Sequence, residues 1–455
     1  MDGWVKLCGV LVGLGWAGCS SPPSPEDAPD APCTYDSCRA TCLGMGREYG
    51  SCTGGICRCV VVDAGADVEG EDGATREDGR EAEDASGSCD GIRVPLEERA
   101  GASPGVTCRR LSVEEVEPYL MDFSGDGEFV GFRGAEDPPE PLWLFDRRTR
   151  CIRRMDDARV PGLADTSVGG SSIEGERVAY VLVGTEEGTR RSVWQLRLID
   201  IREGEPRVLV ETRSERLEGR QGSMDFPTLH YPWVTWRDIR QENAYNWWAY
   251  AYNIETGEER ILDRHGTIMV DNDGSTAAFT VPYYEGTHGA NNVYMLDLQL
   301  GAGAHVAAFV AEQFWPSITP DWIVWLDQRS HPECIYMNPC YTDVYGYHRA
   351  TGEVVPLVVA GDSMQGPWMD ACGDWVAYED QRDGTDVTRS LDNEQDIYAL
   401  HLPTRTEIRV TDWPGFEWNP QVYDRHDGTY GVLLIQEIDY LYRIYRLWDC
   451  DLPAP

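Results

Sequence analysis

The sequence predicts an all-β chain closed into a β-propeller of seven four-stranded blades, with six or eight as the alternatives. Three observations predict it. A unit of four short β-type runs recurs with the same internal order. Its marker aromatics return at intervals of 43 to 56 residues, one blade's length with variable loops. The last copy stops one strand short, while a lone strand precedes the first.

The clearest copy opens Trp315-Pro-Ser-Ile and runs into Asp321-Trp-Ile-Val-Trp-Leu-Asp-Gln-Arg329. Asp343-Val-Tyr-Gly-Tyr347 and Thr351-Gly-Glu-Val-Val-Pro-Leu357 complete it. Upstream the order is Phe226-Pro-Thr-Leu, Trp233 to Arg240, Trp248 to Tyr252, and Thr256 to Leu262. Downstream it is Gly366-Pro-Trp-Met, Trp375 to Arg382, Asp396 to Leu400, and Thr404 to Val410. The second runs carry Phe132, Tyr180, Trp236, Phe279, Trp325 and Tyr378; a seventh, near Val432 to Ile435, has no aromatic marker. In the first blade, Asp126-Gly127 makes a tight hairpin turn between two alternating runs. The stretch Phe123-Ser-Gly-Asp-Gly-Glu-Phe-Val-Gly-Phe132 resembles the TolB-type propeller repeat, and Val270 to Phe279 is a second match. That resemblance implies a propeller over residues 105–455. The last copy has its third strand at Leu441 to Leu447, and Val106 to Leu111 is expected to supply the fourth. Closure removes exposed sheet edges and would place Cys108 beside Cys450, where they can pair.

Residues 1–18 read as a signal peptide: Lys6, then an apolar run from Leu7 to Trp16 too short to span a bilayer. Ala17-Gly18-Cys19 resembles a bacterial lipoprotein signal, with Trp16 where that family usually has an aliphatic residue. The resemblance implies lipidation at Cys19 and a membrane anchor in the cell envelope, as an outer-membrane lipoprotein facing the periplasm or the surface. Without lipidation the chain is secreted. Residues 19–32 are a Pro-rich tether.

Six cysteines crowd residues 33–59 and argue for an oxidising compartment. Cys38 and Cys42 share a helical face; Cys57 and Cys59 share a strand face. The spacing resembles the cysteine-stabilised αβ module of defensins and scorpion-type toxins. That resemblance implies the pairs Cys33–Cys52, Cys38–Cys57 and Cys42–Cys59. Residues 60–104 read as an acidic, disordered linker without the calcium-loop order.

The net charge of -39 repels phosphate backbones, so no nucleic-acid partner is expected. Asp238/Arg240, Asp327/Arg329 and Asp380/Arg382 follow an aromatic at period two. They read as repeated structural ion pairs, or as a ring of charge near the channel. The eight histidines stand singly, without H-E-x-x-H or H-x-H spacing, and G-x-S-x-G is absent. No catalytic residue, metal or cofactor is therefore expected. Cys334 and Cys340 bracket a loop and read as a local disulfide. The loops 283–292 and 383–396 read as the recognition rim, and Tyr245 to Tyr252 as packing between blades or as a sugar platform. The function expected is non-enzymatic binding of a protein or glycan partner. The alternatives are a propeller-fold polysaccharide lyase or glycan hydrolase, and a carrier of a toxin-like or antimicrobial module.

Overall fold

Runs such as Trp322–Asp327 and Trp375–Asp380 are buried at every residue, whereas Thr406–Arg409, at the end of the same repeat, is exposed or half-buried. An antiparallel sheet that is dry at its second strand and wet at its fourth is a blade packed between two neighbours. The computed structural model describes residues 49–53, 56–60, 89 and 91–454, apart from 114–115, 117, 135–138, 190, 216–223, 241–246, 284–289, 307–310, 331–341, 360–364, 383–394 and 440–443.

Seven blades form the propeller. Blade 1 runs from the inner strand Pro118–Asp126 through Phe129–Gly134 and Leu142–Asp146 to Cys151–Asp156. The inner strands of blades 2 to 6 are Leu163–Glu174, Met224–His230, Val270–Asn272, Gln313–Ile318 and Gln365–Cys372, each followed by three consecutive strands. Blade 7 takes Phe416–Asp424, Tyr430–Asp439 and Ile444–Asp451 from the end of the chain, then Thr107–Arg110 and Glu98–Ala100 from near its beginning. The ring closes where Cys450 stands opposite Cys108, and the two are disulfide-bonded. The marker aromatics lie on second strands with at most 1% exposure.

One boundary differs from expectation. The stretch 89–104 belongs to the propeller rather than to the linker. Ile92–Arg93 pairs with Cys151–Asp156 as a fifth strand of blade 1, Glu98–Ala100 pairs with Thr107–Arg110, and Cys89 is bonded to Cys151. Strands of two and three residues are too short to show alternation; their partners and the disulfide define them. The third strand of blade 7 is described over Ile444–Asp451, where Gly431 to Glu437 pairs with Tyr445 to Asp451; the first residues of the expected strand, 441–443, lie outside the described residues.

The N-terminal unit, residues 1–82, is separate. Its described part is an antiparallel hairpin, Tyr49–Thr53 with Ile56–Val60, in which Cys52 stands opposite Cys57. The side chains of Cys52, Cys57 and Cys59 lie outside the description. So do Cys19, Cys33, Cys38, Cys42, Cys334 and Cys340, and most of the two rim loops.

Candidate ligand site in the central channel

The innermost strand of a blade has one edge without a ladder partner, so its backbone N–H groups need acceptors from elsewhere. Pairing with the second strand sets one common level around the axis. Ser124, Ser172, Thr228, Asp271, Ser317, Asp370 and Gln421 stand opposite Gly131, Ala179, Thr235, Ala278, Val324, Ala377 and Leu433. In blades 1 to 6 the opposing residue directly precedes the marker aromatic. In blade 7 it precedes Leu434, which explains the missing marker.

This level stitches each blade to the next. The Ser172 Oγ accepts the Leu229 N–H at 2.9 Å, and the Ser317 Oγ accepts the Ala371 N–H at 3.1 Å. The Asp271 Oδ2 accepts the Ile318 N–H at 2.9 Å, and the Asp370 Oδ2 accepts the Val422 N–H at 3.0 Å. Two residues further along, the Glu174 Oε2 accepts the Tyr231 N–H at 2.7 Å, and Asp126 accepts the Gly175 N–H.

The stitch leaves a conflict at blade 5. Ser317 has one hydroxyl proton, and two carboxylates compete for it: Asp271 Oδ2 at 3.2 Å and Asp370 Oδ1 at 3.1 Å. Burial raises the Asp271 carboxyl against the pull of His230 and its N–H donors. Burial, then the Asp271 charge, push the Asp370 carboxyl up to about 7. Burial opposes charge on His230, but Glu174, Asp271 and Asp273 outweigh it and raise the imidazole. Its Nδ1 lies 3.7 Å from Glu174 Oε1.

Two residues before the stitching level, aromatic side chains gather. Trp315 and Trp368 meet edge to face at 4.8 Å, and Phe226 lies 6.4 Å from Trp315 and 6.3 Å from Trp368. Six of the seven inner strands break register beside this level. Phe226, Trp315 and Asn419 sit at φ of 49°, 57° and 51°, each directly before a proline. A bulky side chain in the left-handed region is strained, and such strain clusters at functional sites. These levels line one cavity of about 500 Å³ on the propeller axis. Among the described residues, its lining includes His230 and His426 but no Lys or Arg.

The three repeated ion pairs lie elsewhere; none of their six residues lines the cavity. Asp238, Asp327 and Asp380 are buried at the ends of second strands. Asp327 Oδ2 accepts the Trp325 Nε1–H at 2.8 Å and an Arg329 N–H at 2.5 Å. Asp238 accepts the Arg240 Nε–H at 2.7 Å, and Asp380 accepts the Arg382 Nε–H at 2.8 Å. Each guanidinium covers a third-strand ring: Tyr250 and Tyr345 at 4.1 Å, Tyr398 at 4.6 Å. The pairs thus close the end of a blade. Sequence reasoning missed Asp271, Ser317, Asp370 and the aromatic trio as a site. The recurring X-Pro openings, Phe226-Pro, Trp315-Pro and Asn419-Pro, were the available signal.

No known protein family matches the chain, and no curated protein matches it. Among solved structures it is similar to an oligogalacturonate lyase from Vibrio parahaemolyticus. Identity is 14%, the match covers 81% of this chain and 99% of that one, and the TM-score is 0.52. It is also similar to the β-propeller domain of the Trilobed protease from Pyrococcus furiosus, described as having an open velcro topology. There identity is 12%, coverage 74% and 94%, and the TM-score 0.52. At these identities the likeness is one of fold.

Proposed function

We propose that the chain is an exported, non-enzymatic binding protein, lipid-anchored at Cys19 in the outer membrane, whose propeller recognises a protein or glycan partner through the central channel. The carrying observation is the cavity of about 500 Å³ that presents aromatic rings from three blades and carboxylates from neighbouring strands. Rings give an apolar stacking surface, and carboxylates orient hydroxyl or N–H groups. The backbone stitches held by Asp271 and Asp370 support a binding role, since they tie both groups to the scaffold. The Pro-rich tether and a defensin-like spacer over 33–59 would hold the propeller away from the bilayer.

The test takes the full-length chain to a glycan array and to envelope-protein capture, beside Trp315→Ala. The reading requires a partner whose retention falls at least tenfold in the variant. A partner retained equally well by Trp315→Ala places recognition outside the channel and overturns it.

A second reading, a lyase or glycan hydrolase, is favoured by one observation: the Asp370 carboxyl pushed up to about 7 beside Asp271. Two carboxyl groups with separated proton affinities suit acid–base catalysis. Turnover of uronate or neutral polysaccharides that disappears in Asp370→Asn would establish it, and silence across that panel would retire it.

A further inference from the structure

We infer that the central channel binds an organic ammonium group, held by the Asp271 and Asp370 carboxylates and faced by the Trp315 and Trp368 rings. The inference rests on the channel being the ligand site and adds the ligand's charge and class.

Three observations carry it. First, the described hydrogen bonds to the two carboxylates come from backbone N–H groups and one hydroxyl, all neutral donors. Ser317 cannot donate to both acids at once, so a further donor has a place between them. An ammonium brings up to three N–H donors and a positive charge directly to the two carboxylates, as a neutral hydroxyl cannot. Second, Trp315 and Trp368 stand two residues before Ser317 and Asp370, and indole faces attract cations. Trp315 is kept there at φ 57°, against its local preference. Third, Ser124 is 9% exposed, lines the same cavity on the stitching level, and its hydroxyl has no hydrogen-bond partner among the described residues.

The surrounding charges set the pH dependence. Burial opposes charge on His230, and Glu174, Asp271 and Asp273 outweigh it and raise the imidazole. Blades 7 and 1 add His426, Asp424 and Asp126 at the same cavity. Burial, then the Asp370 charge, push the Cys372 thiol up to about 12, so it stays neutral. An ammonium favours the ionised Asp370, so binding releases a proton near neutral pH, and affinity rises from pH 5 to pH 8.

The experiment is calorimetric titration of the full chain at pH 5, 7 and 8 in buffers of differing ionisation heat. The probes are glucosamine, N-acetylglucosamine and glucose, with Nα-acetyl-lysine amide and Nα-acetyl-norleucine amide. The inference requires at least one amine to bind tenfold or more tightly than its neutral counterparts, with proton release. Glucosamine in the lead identifies an amino sugar as the source, and the lysine amide a side-chain amine. Asp370→Asn keeps an oxygen for the Val422 N–H, so it should fold, shown by an unchanged circular-dichroism spectrum, and lose at least tenfold in affinity. Asp271→Asn serves as the second variant. Neutral probes binding as tightly as amines overturn the inference and leave the channel a ligand site. No amine binding, with a Trp315-dependent partner on the array, sinks the inference alone. Silence in both assays sinks the proposed function as well.

Discussion

Lys6 is the chain's only lysine, so the permanent cations of the propeller are arginines. Arginine suits these sites because its flat guanidinium can bond a carboxylate edge-on while covering a tyrosine ring. Arg329 does both, against Asp327 and Tyr345. Asp327→Ala should therefore destabilise the fold by about 3 kcal/mol, because it strands a largely buried cation and the Trp325 N–H. Arg329→Lys should cost less, since the charge remains and only the planar contacts go. Urea unfolding of the two variants checks the order. A different residue-scale effect comes from Glu379 and Glu417, whose carboxyls burial raises well above the ordinary range. A raised folded pKa means that the folded state holds an extra proton. The associated stability is fully present below the unfolded pKa and is lost as pH rises through the folded one. Glu379→Gln keeps an oxygen for the Asn419 N–H, now accepted at 2.7 Å, and cannot ionise. Its urea midpoint should fall less between pH 5 and pH 9 than that of the native chain. Asp449 has the opposite sign. Burial opposes its charge, but Arg147 and Arg425 outweigh it and hold the carboxyl below the usual range. Its contribution is present at neutral pH and lost on acidification, so Asp449→Asn should make acid unfolding shallower.

Among the elements, Thr107–Arg110 has the largest consequence, because it joins the two ends of the ring. Its register puts Cys108 opposite Cys450, 342 residues away, and both are fully buried. A cross-link over so long a loop removes much freedom from the unfolded chain. Replacing both cysteines by alanine should cost up to about 6 kcal/mol by that argument. Thermal unfolding of the native chain and the double variant, with and without reductant, gives the number, and the native chain should lose more to reductant, because the variant keeps only Cys89–Cys151 among the described disulfides. This element was legible in the sequence because it is bounded, framed by Val106 and Leu111, and needed by a last repeat one strand short. Ile92–Arg93 and Glu98–Ala100 were not legible; five residues spread over two strands carry no period, and acidic sequence precedes them. The channel was half legible for another reason. The openings Phe226-Pro, Trp315-Pro and Asn419-Pro recur visibly, yet local preference puts those residues in extended backbone. Their left-handed φ values fall at the register break between first and second strands, against that local preference.

For the whole molecule, the dominant quantity is the net charge of -39. Many of its acids are committed: Asp126, Glu174, Asp271 and Asp370 accept backbone N–H groups of the neighbouring blade, and Asp238, Asp327 and Asp380 each hold an arginine. The sequence shows the excess of acid but cannot show this division, because the donors are backbone groups of the next blade. The remaining exposed carboxylates repel one another across the surface, and unfolding spreads them apart. Salt shortens the range of that repulsion to about 8 Å at roughly 0.15 M, while buried pairs such as Asp327–Arg329 are screened much less. Sodium chloride should therefore raise the melting temperature by a few degrees between about 0.01 M and 0.15 M, with most of the gain at the low end. The same titration on Asp327→Ala should show a parallel rise from a lower baseline. A melting temperature that falls with salt would mean that exposed attraction, not repulsion, governs the surface. It would also weaken the case that uncompensated acid in the channel awaits a cation.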